Sequence, residues 1–455
     1  NVRFWQGAPQ VIGGWVKRIA SQIASTGNAI LEWKSNAGIA HVAYGGSSSL
    51  QVEKAGALFD ITPAGVVSGS AWTLANYGET LIAGISGLKT YIWSLNTAAP
   101  AAQVANAPVS ATTILVTPER QLLALGCNEE VSGIFNPRCI RGSDVEDITS
   151  WTTSATNNVF EHILDGASSG IVAAQMVGPY VAVWTSTELF IGQFVGDPGQ
   201  TYRFEKVASR CGAIGRRAVT VIDGRAYWLT PDVQFRSWSP GEMPAIVPCP
   251  IIDQFRAQVA LLSATERLAI EACHVAQYDE VWFLCGRVAP PLFLGSYVAF
   301  SLIDNCWFRG SVQRRAMHQG LGNLIAIDQG GNLINCETGQ FGSALTNGTL
   351  EWSLETSAFH LDEAETRIMV RRARPDFKSQ AGNVAMIVKT REAPQGPEIS
   401  QATQVFAPGT TRTDFRFSGR LFRVVLSGND GPGFDTPTFA RFGRLLFDLV
   451  RLGRR

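Results

Sequence analysis

The sequence predicts an all-β protein: a β-propeller with an additional C-terminal β-sandwich-like domain. Three observations predict this. Short apolar or alternating segments recur, each broken by a tight turn of Gly, Ser, Thr or Asp. The 3.6-residue periodicity of amphipathic helices is nearly absent. After about residue 345 the strands lengthen and carry arginine at alternate positions. The predicted division is 1–345, a propeller-like domain of repeated hairpins, and 346–455, an Arg/Phe-rich β domain for assembly contacts.

The hairpins can be justified in chain order. "IAHVAYGGSSSLQVEK" turns around Gly45-Gly46, and "GALFDITPAG" then ends a strand on Asp60, Thr62 and Pro63. Asp and Thr bond their own backbone in a turn, and Pro lacks the N–H that a ladder needs. "GETLIAGISGLKTYIWSL" turns at Ser86-Gly87, and "GPYVAVWTSTELFIGQFVG" turns over Thr185 to Thr187. "AVTVIDGRAYWL" holds Asp223-Gly224, the strongest two-residue hairpin signal of the set. Repeated hairpins of this size fit four-stranded blades around a channel. The helical exception is Ile251 to Ser263, where Ile251, Ile252, Phe255, Val259 and Leu262 keep a helical spacing. "SGIVAAQMVG" fits either a helix or a strand.

Composition narrows the function classes. The 455 residues carry 38 basic and 38 acidic side chains, so no overall charge draws the chain to nucleic acid or anionic membrane. No run of about 18 apolar residues occurs, which predicts no membrane-spanning helix, and Asn1 opens no basic-plus-apolar leader pattern. The eight cysteines, Cys127, Cys139, Cys211, Cys249, Cys273, Cys285, Cys306 and Cys336, show no paired spacing. They read as buried thiols in a protein made in a reducing cytoplasm.

Searches for chemistry point to scaffold. Walker, Rossmann, zincin and nucleophile-elbow motifs are missing. His41, His162, His274, His318 and His360 form no local pair of the kind that starts a zinc site. Asp144, Glu146 and Asp147 lack the spacing of a calcium loop and read as a capped turn. Asp362, Glu363 and Glu365 read as a solvated loop. No catalytic residue, metal or cofactor is therefore expected, and the chain is expected not to be an enzyme.

The one charge asymmetry lies at the C-terminal end. From Thr411 to Arg455, nine arginines face four aspartates. Phe415, Phe417, Phe422, Phe439, Phe442 and Phe447 are interleaved with them. Arginine mixed with aromatics marks protein interfaces more than nucleic-acid grooves. Arg416, Arg420, Arg423, Arg441, Arg444, Phe415 and Phe422 are the candidate subunit-interface residues.

The order of "LFDITPAG", "LANYGETLIAGISGLKTYIWSL", "VTPERQLLALG", "NPRCIRGSDVEDITSWTTSATNN", "RCGAIGRRAVTVIDGRAYWL" and "FRFSGRLFRVVL" resembles a family of tailed-bacteriophage structural proteins. These are related to the nozzle, tail tubular or packaged-DNA stabilisation proteins. The resemblance implies a homo-oligomeric ring, usually hexameric, located in the virion tail. It implies adaptor or portal-side proteins above the ring, tail fibres, spikes or a tip as further partners, and transient contact with passing viral DNA. No segment matches a channel gate. The alternative is a receptor-binding or carbohydrate-binding tail component on the same scaffold, with Trp184, Trp228 and Trp238 as sugar platforms, although their flanking apolar strands favour blade core.

Overall fold

A computed structural model describes residues 1–285, 295–312, 314–339, 350–428 and 438–453. Among these residues backbone pairing is almost wholly antiparallel β, organised in seven four-stranded sheets and two larger ones. The chain divides into two units. One comprises Lys17–Phe300 with Ser311–Asn335, and the other Asn1–Val16, Ser301–Gly310 and Cys336–Arg455. The predicted boundary at 345 lies outside the described residues. The second unit begins earlier, at Cys336, and it includes two stretches that the 1–345 division had assigned to the first domain.

In the first unit, each sheet follows one plan in which consecutive strands pair in sequence order. The opening sheet runs Gly27–Lys34, Ala40–Gly46, Leu50–Lys54 and Ala57–Asp60. Six more open on the strands Trp72–Tyr77, Ala111–Val116, Ile171–Val177, Val219–Ile222, Glu271–Val275 and Arg314–Gln319. These seven opening strands lie side by side in order, and the last, Arg314–Gln319, neighbours the first, Gly27–Lys34. The seventh sheet takes its fourth strand, Trp15–Gln22, from the start of the chain. The arrangement is propeller-like: sheets set around an axis, closed by strands from opposite ends of the sequence.

The cores lie between successive sheets. Trp33, Leu50, Val52, Trp72, Leu81 and Trp93 form one cluster between the first and second. Trp184, Leu189, Trp228 and Trp238 fill the gap between the fourth and fifth. Ile19, Ile23, Ile30, Val42, Ala316 and Ile325 close the seventh onto the first. Each large indole brings a polar N–H that needs a partner. Trp72 Nε1 donates to the Gly46 carbonyl at 2.8 Å and Trp228 Nε1 to the Cys211 carbonyl at 2.9 Å.

Local chemistry sets the turns. Asp223 and Gly224 both take positive φ, 48° and 76°, between Val219–Ile222 and Arg225–Leu229. That is the left-handed pair a two-residue hairpin demands. Asp60 Oδ1 accepts the Thr62 N–H at 2.9 Å, the predicted Asp-headed turn. The helix runs Ile252–Ala260 and buries Phe255 and Val259. It is followed by a short helix, Ala264–Leu268, which the sequence reading did not separate. Its signal was present: Ser263 Oγ accepts the Glu266 N–H while the Glu266 carboxylate accepts from Ser263 N, a capping box. "SGIVAAQMVG" resolves as the strand Ile171–Val177.

The second unit holds a five-stranded sheet in the order Val2–Trp5, Ala8–Val11, Phe439–Gly453, Arg367–Ala381 and Thr413–Gly419. A six-stranded sheet is built on Leu421–Gly428 and Val384–Arg391. Aromatic rings of the two sheets meet: Phe377 lies 6.1 Å from Phe406, Trp352 5.5 Å from Phe442, and Phe359 6.0 Å from Phe447. Arg3 forks onto Glu337 at 2.8 and 2.9 Å, and both side chains are buried.

Candidate functional site

Two places gather polar chemistry, one in each unit. In the second unit, Phe439–Gly453 and Arg367–Ala381 form a ribbon of two 15-residue strands. Alternation should bury every second side chain where one face is covered. Toward the end of the ribbon this fails, and Leu446, Leu449 and Leu452 are 55%, 40% and 50% exposed. Arg444, on the same strand, borders an apolar pocket of about 460 Å³ lined by Pro9, Phe359, Phe377, Phe442 and Phe447. Among the described residues neither Arg444 nor the exposed Arg416 has a carboxylate partner.

The other predicted interface residues are placed differently. Phe422 is only 1% exposed and stacks on Phe359 at 5.7 Å, so it is core and offers no surface. Arg423 reaches Glu355 at 3.3 Å and Glu398 at 3.8 Å, and Arg420 lies 3.9 Å from Glu392. Arg441 donates to the Trp5 carbonyl and Gln6 Oε1, pinning the first hairpin of the chain. Arg420 and Arg423 are occupied because acids distant in sequence return beside them, and Arg441 because the first hairpin does. Phe415 stacks on Phe417 at 4.9 Å and remains partly exposed. The structure thus leaves Arg416, Arg444 and Phe415 open to a partner.

In the first unit, the site lies on the axis. The segment "RCGAIGRR" leads into Val219–Ile222 and is held against neighbouring backbone. A Cβ on Gly212 would stand 2.2 Å from the Ser186 carbonyl carbon, and one on Gly215 would stand 2.6 Å from the Leu268 oxygen. Glycine is required at both by this close approach. The segment delivers two consecutive arginines across the ring. Arg216 donates to the Ala71 carbonyl at 3.2 Å, at the head of the second sheet. Arg217 donates to the Asn28 carbonyl in the first sheet, to Ala269 O at 3.3 Å and to Glu271 Oε2 at 3.2 Å. Since the fifth sheet stands opposite the first and second, both guanidinium groups span the bore.

A cavity of about 430 Å³ adjoins them, with Thr73, Thr113, Gln175, Glu271, His274 and His318 among its walls. It is far too small for a nucleic-acid duplex. Burial and the neighbouring Arg217 hold the Arg216 guanidinium down to about 10. Burial pushes the Glu271 carboxyl up, opposed by Arg217 and by the Met317 N–H that it accepts at 3.3 Å. Burial alone lowers His318 to about 4, and burial also lowers His274 against the pull of Asp279. Both imidazoles are neutral at pH 7. Two guanidinium charges therefore face one carboxylate. Sequence reasoning missed this site; the pair Arg216-Arg217 directly after two tight glycines, Gly212 and Gly215, was its local sign.

The remaining candidates read as scaffold. Trp184, Trp228 and Trp238 are 0%, 0% and 1% exposed, so they offer no platform to a sugar. Asp147 Oδ1 accepts the Thr149 N–H and hydroxyl, which lowers its carboxyl, and Glu146 pairs with Arg120 at 2.8 Å. Asp362 begins a short 3-10 turn and accepts from Thr366 Oγ1, while the Glu363 side chain lies outside the described residues. No disulfide joins the eight cysteines, of which six are buried and Cys249 and Cys306 half-buried. Among the described residues no group of three or more His, Cys, Asp or Glu is placed to hold a metal ion. No described helix is long and apolar enough to cross a membrane.

No protein-family model and no curated protein matches the chain. Solved structures do. One is a catalytically inactive virginiamycin B lyase from Staphylococcus aureus with quinupristin, at 8% identity and a TM-score of 0.44, covering 70% of this chain and 97% of that one. Another is the computationally designed Ika8 protein, at 12% identity and a TM-score of 0.42, covering 71% and 99%. The first corrects the expectation, drawn from missing motifs, that the chain is not an enzyme: a structure similar to it is a lyase. At 8% identity that likeness transfers no activity.

Proposed function

We propose that the chain is a structural protein of a bacteriophage tail, a nozzle-type subunit that assembles with copies of itself into a ring. In this reading the seven four-stranded sheets are the blades of a β-propeller, and the second unit is a β-sandwich-like assembly domain. The ordered sequence resemblance to nozzle proteins supports the placement in a virion tail. The observation that carries the assembly role is the exposed ribbon, where Leu446, Leu449 and Leu452 share a strand with the unpaired Arg444. Apolar surface rimmed by arginine forks is the composition of subunit interfaces. A head-to-tail contact through such a surface closes into a ring when its rotation closes.

The ring would connect head and adaptor to distal tail parts and conduct or retain the genome through the bore between copies. The axis of each subunit is spanned by Arg216 and Arg217, so the DNA route runs beside the propeller and not through it. Low net charge suits that wall, because each neutralised phosphate adds affinity that would hold the strand. The test is localisation. Gold-labelled antibody against the chain should decorate the tail of intact particles, and particles lacking the chain by immunoblot would overturn the reading.

A further inference from the structure

We propose that the axial cavity of the first unit is a binding site for a small oxyanion, phosphate or a short carboxylate, centred on the Arg216 guanidinium. Four observations carry it. Arg216 makes one hydrogen bond, to a neutral carbonyl, Ala71 O at 3.2 Å. Among the described residues no carboxylate pairs with it, whereas its neighbour Arg217 is held by Glu271 at 3.2 Å. Arg216 itself lines a cavity of about 430 Å³, ample for one tetrahedral anion with its waters. The wall also presents the hydroxyls of Thr73 and Thr113, 3.3 Å apart, either of which can donate.

The charges of the site point the same way. Two guanidinium groups and one carboxylate leave a surplus of one positive charge in a partly buried site, and a second arginine beside the first makes that charge costly to keep. An anion relieves both costs and completes a planar fork that matches an oxyanion edge. Gly212 and Gly215, pressed on backbone, fix where the fork points, so the site is preformed.

Calorimetric titration of inorganic phosphate, and separately of acetate, into the full chain tests this. Saturable 1:1 binding of at least one anion at millimolar concentration or tighter is expected, and the preferred anion identifies the class. Arg216→Gln should weaken it about ten- to a hundredfold, the range for losing a charged hydrogen-bond donor, and Arg256→Gln, on the exposed side of the helix Ile252–Ala260, should leave it unchanged. Equal binding by Arg216→Gln and the parent chain would overturn the proposal, as would no saturable binding of either anion. If Arg216→Gln fails to fold, crystals of the parent chain soaked in arsenate decide: an anomalous peak against Arg216 sustains the site, and an empty cavity, or peaks from adventitious ions only at the surface, refutes it.

Discussion

Removing the carboxylate of Glu337 tests how the start of the chain is built into the second unit. Glu337 receives the Arg3 guanidinium at 2.8 and 2.9 Å and the Gly13 N–H at 2.9 Å. The side chains are 0% and 2% exposed, so water screens neither. Glu337→Gln keeps the shape but leaves the Arg3 charge buried against an amide. Breaking a buried pair from one side costs about 3–5 kcal/mol, against about 0–1 kcal/mol for an exposed one. For a unit of this size that lowers its melting temperature by about 6–20 °C. The double change Arg3→Met with Glu337→Leu should recover much of the loss, since no unpaired charge remains. Scanning calorimetry reads both variants, with the two units' transitions followed separately because a two-unit chain need not melt as one. A Glu337→Gln loss below about 1 kcal/mol would refute the claim that this pair is a desolvated tie.

Other predictions concern the core, the axis and the ribbon. Gly212→Ala should destabilise the first unit by several kcal/mol on chemical denaturation, because its Cβ meets backbone at 2.2 Å and no side chain can swing aside; an unchanged midpoint would contradict the packing. Trp228→Ala should cost about 3–5 kcal/mol, as loss of a fully buried indole does, and the same assay reads it. His318 has its pKa depressed to about 4 by burial, below its unfolded value, so the folded state binds fewer protons between those limits. Its stabilising contribution is complete above about pH 6.5 and falls by roughly 3 kcal/mol as the pH drops toward 4; His318→Gln should flatten that part of a stability–pH curve. Charge reversal at Arg444 and Arg416 should dissociate assemblies, read by light scattering. Reversal at Arg423 should instead lower stability, because Glu355 and Glu398 already hold that residue.

Much of the architecture was legible because its causes are local. Asp223-Gly224 needs only its own φ angles to form a hairpin, and Asp60 needs only the N–H of Thr62. Trp184, Trp228 and Trp238 sit in apolar strands and end as core, the plainer of their two readings. What stayed hidden depends on distant residues. Arg216 meets a carbonyl 145 positions away, and no spacing rule connects the two. Arg420 and Arg423 look like free interface arginines until Glu355, Glu392 and Glu398 are brought beside them by strand pairing. Val2–Trp5 and Ala8–Val11 join the second unit because Ala8–Val11 pairs with Phe439–Gly453, from the other end of the sequence. Arg444 remains available for a converse reason, that no acid among the described residues returns to it.

The ring itself is tested most directly by negative-stain electron microscopy of the purified full chain at micromolar concentration. Class averages of closed annuli with cyclic symmetry are expected, lost when Arg444 and Arg416 are reversed. Isolated single subunits in every class would contradict the ring.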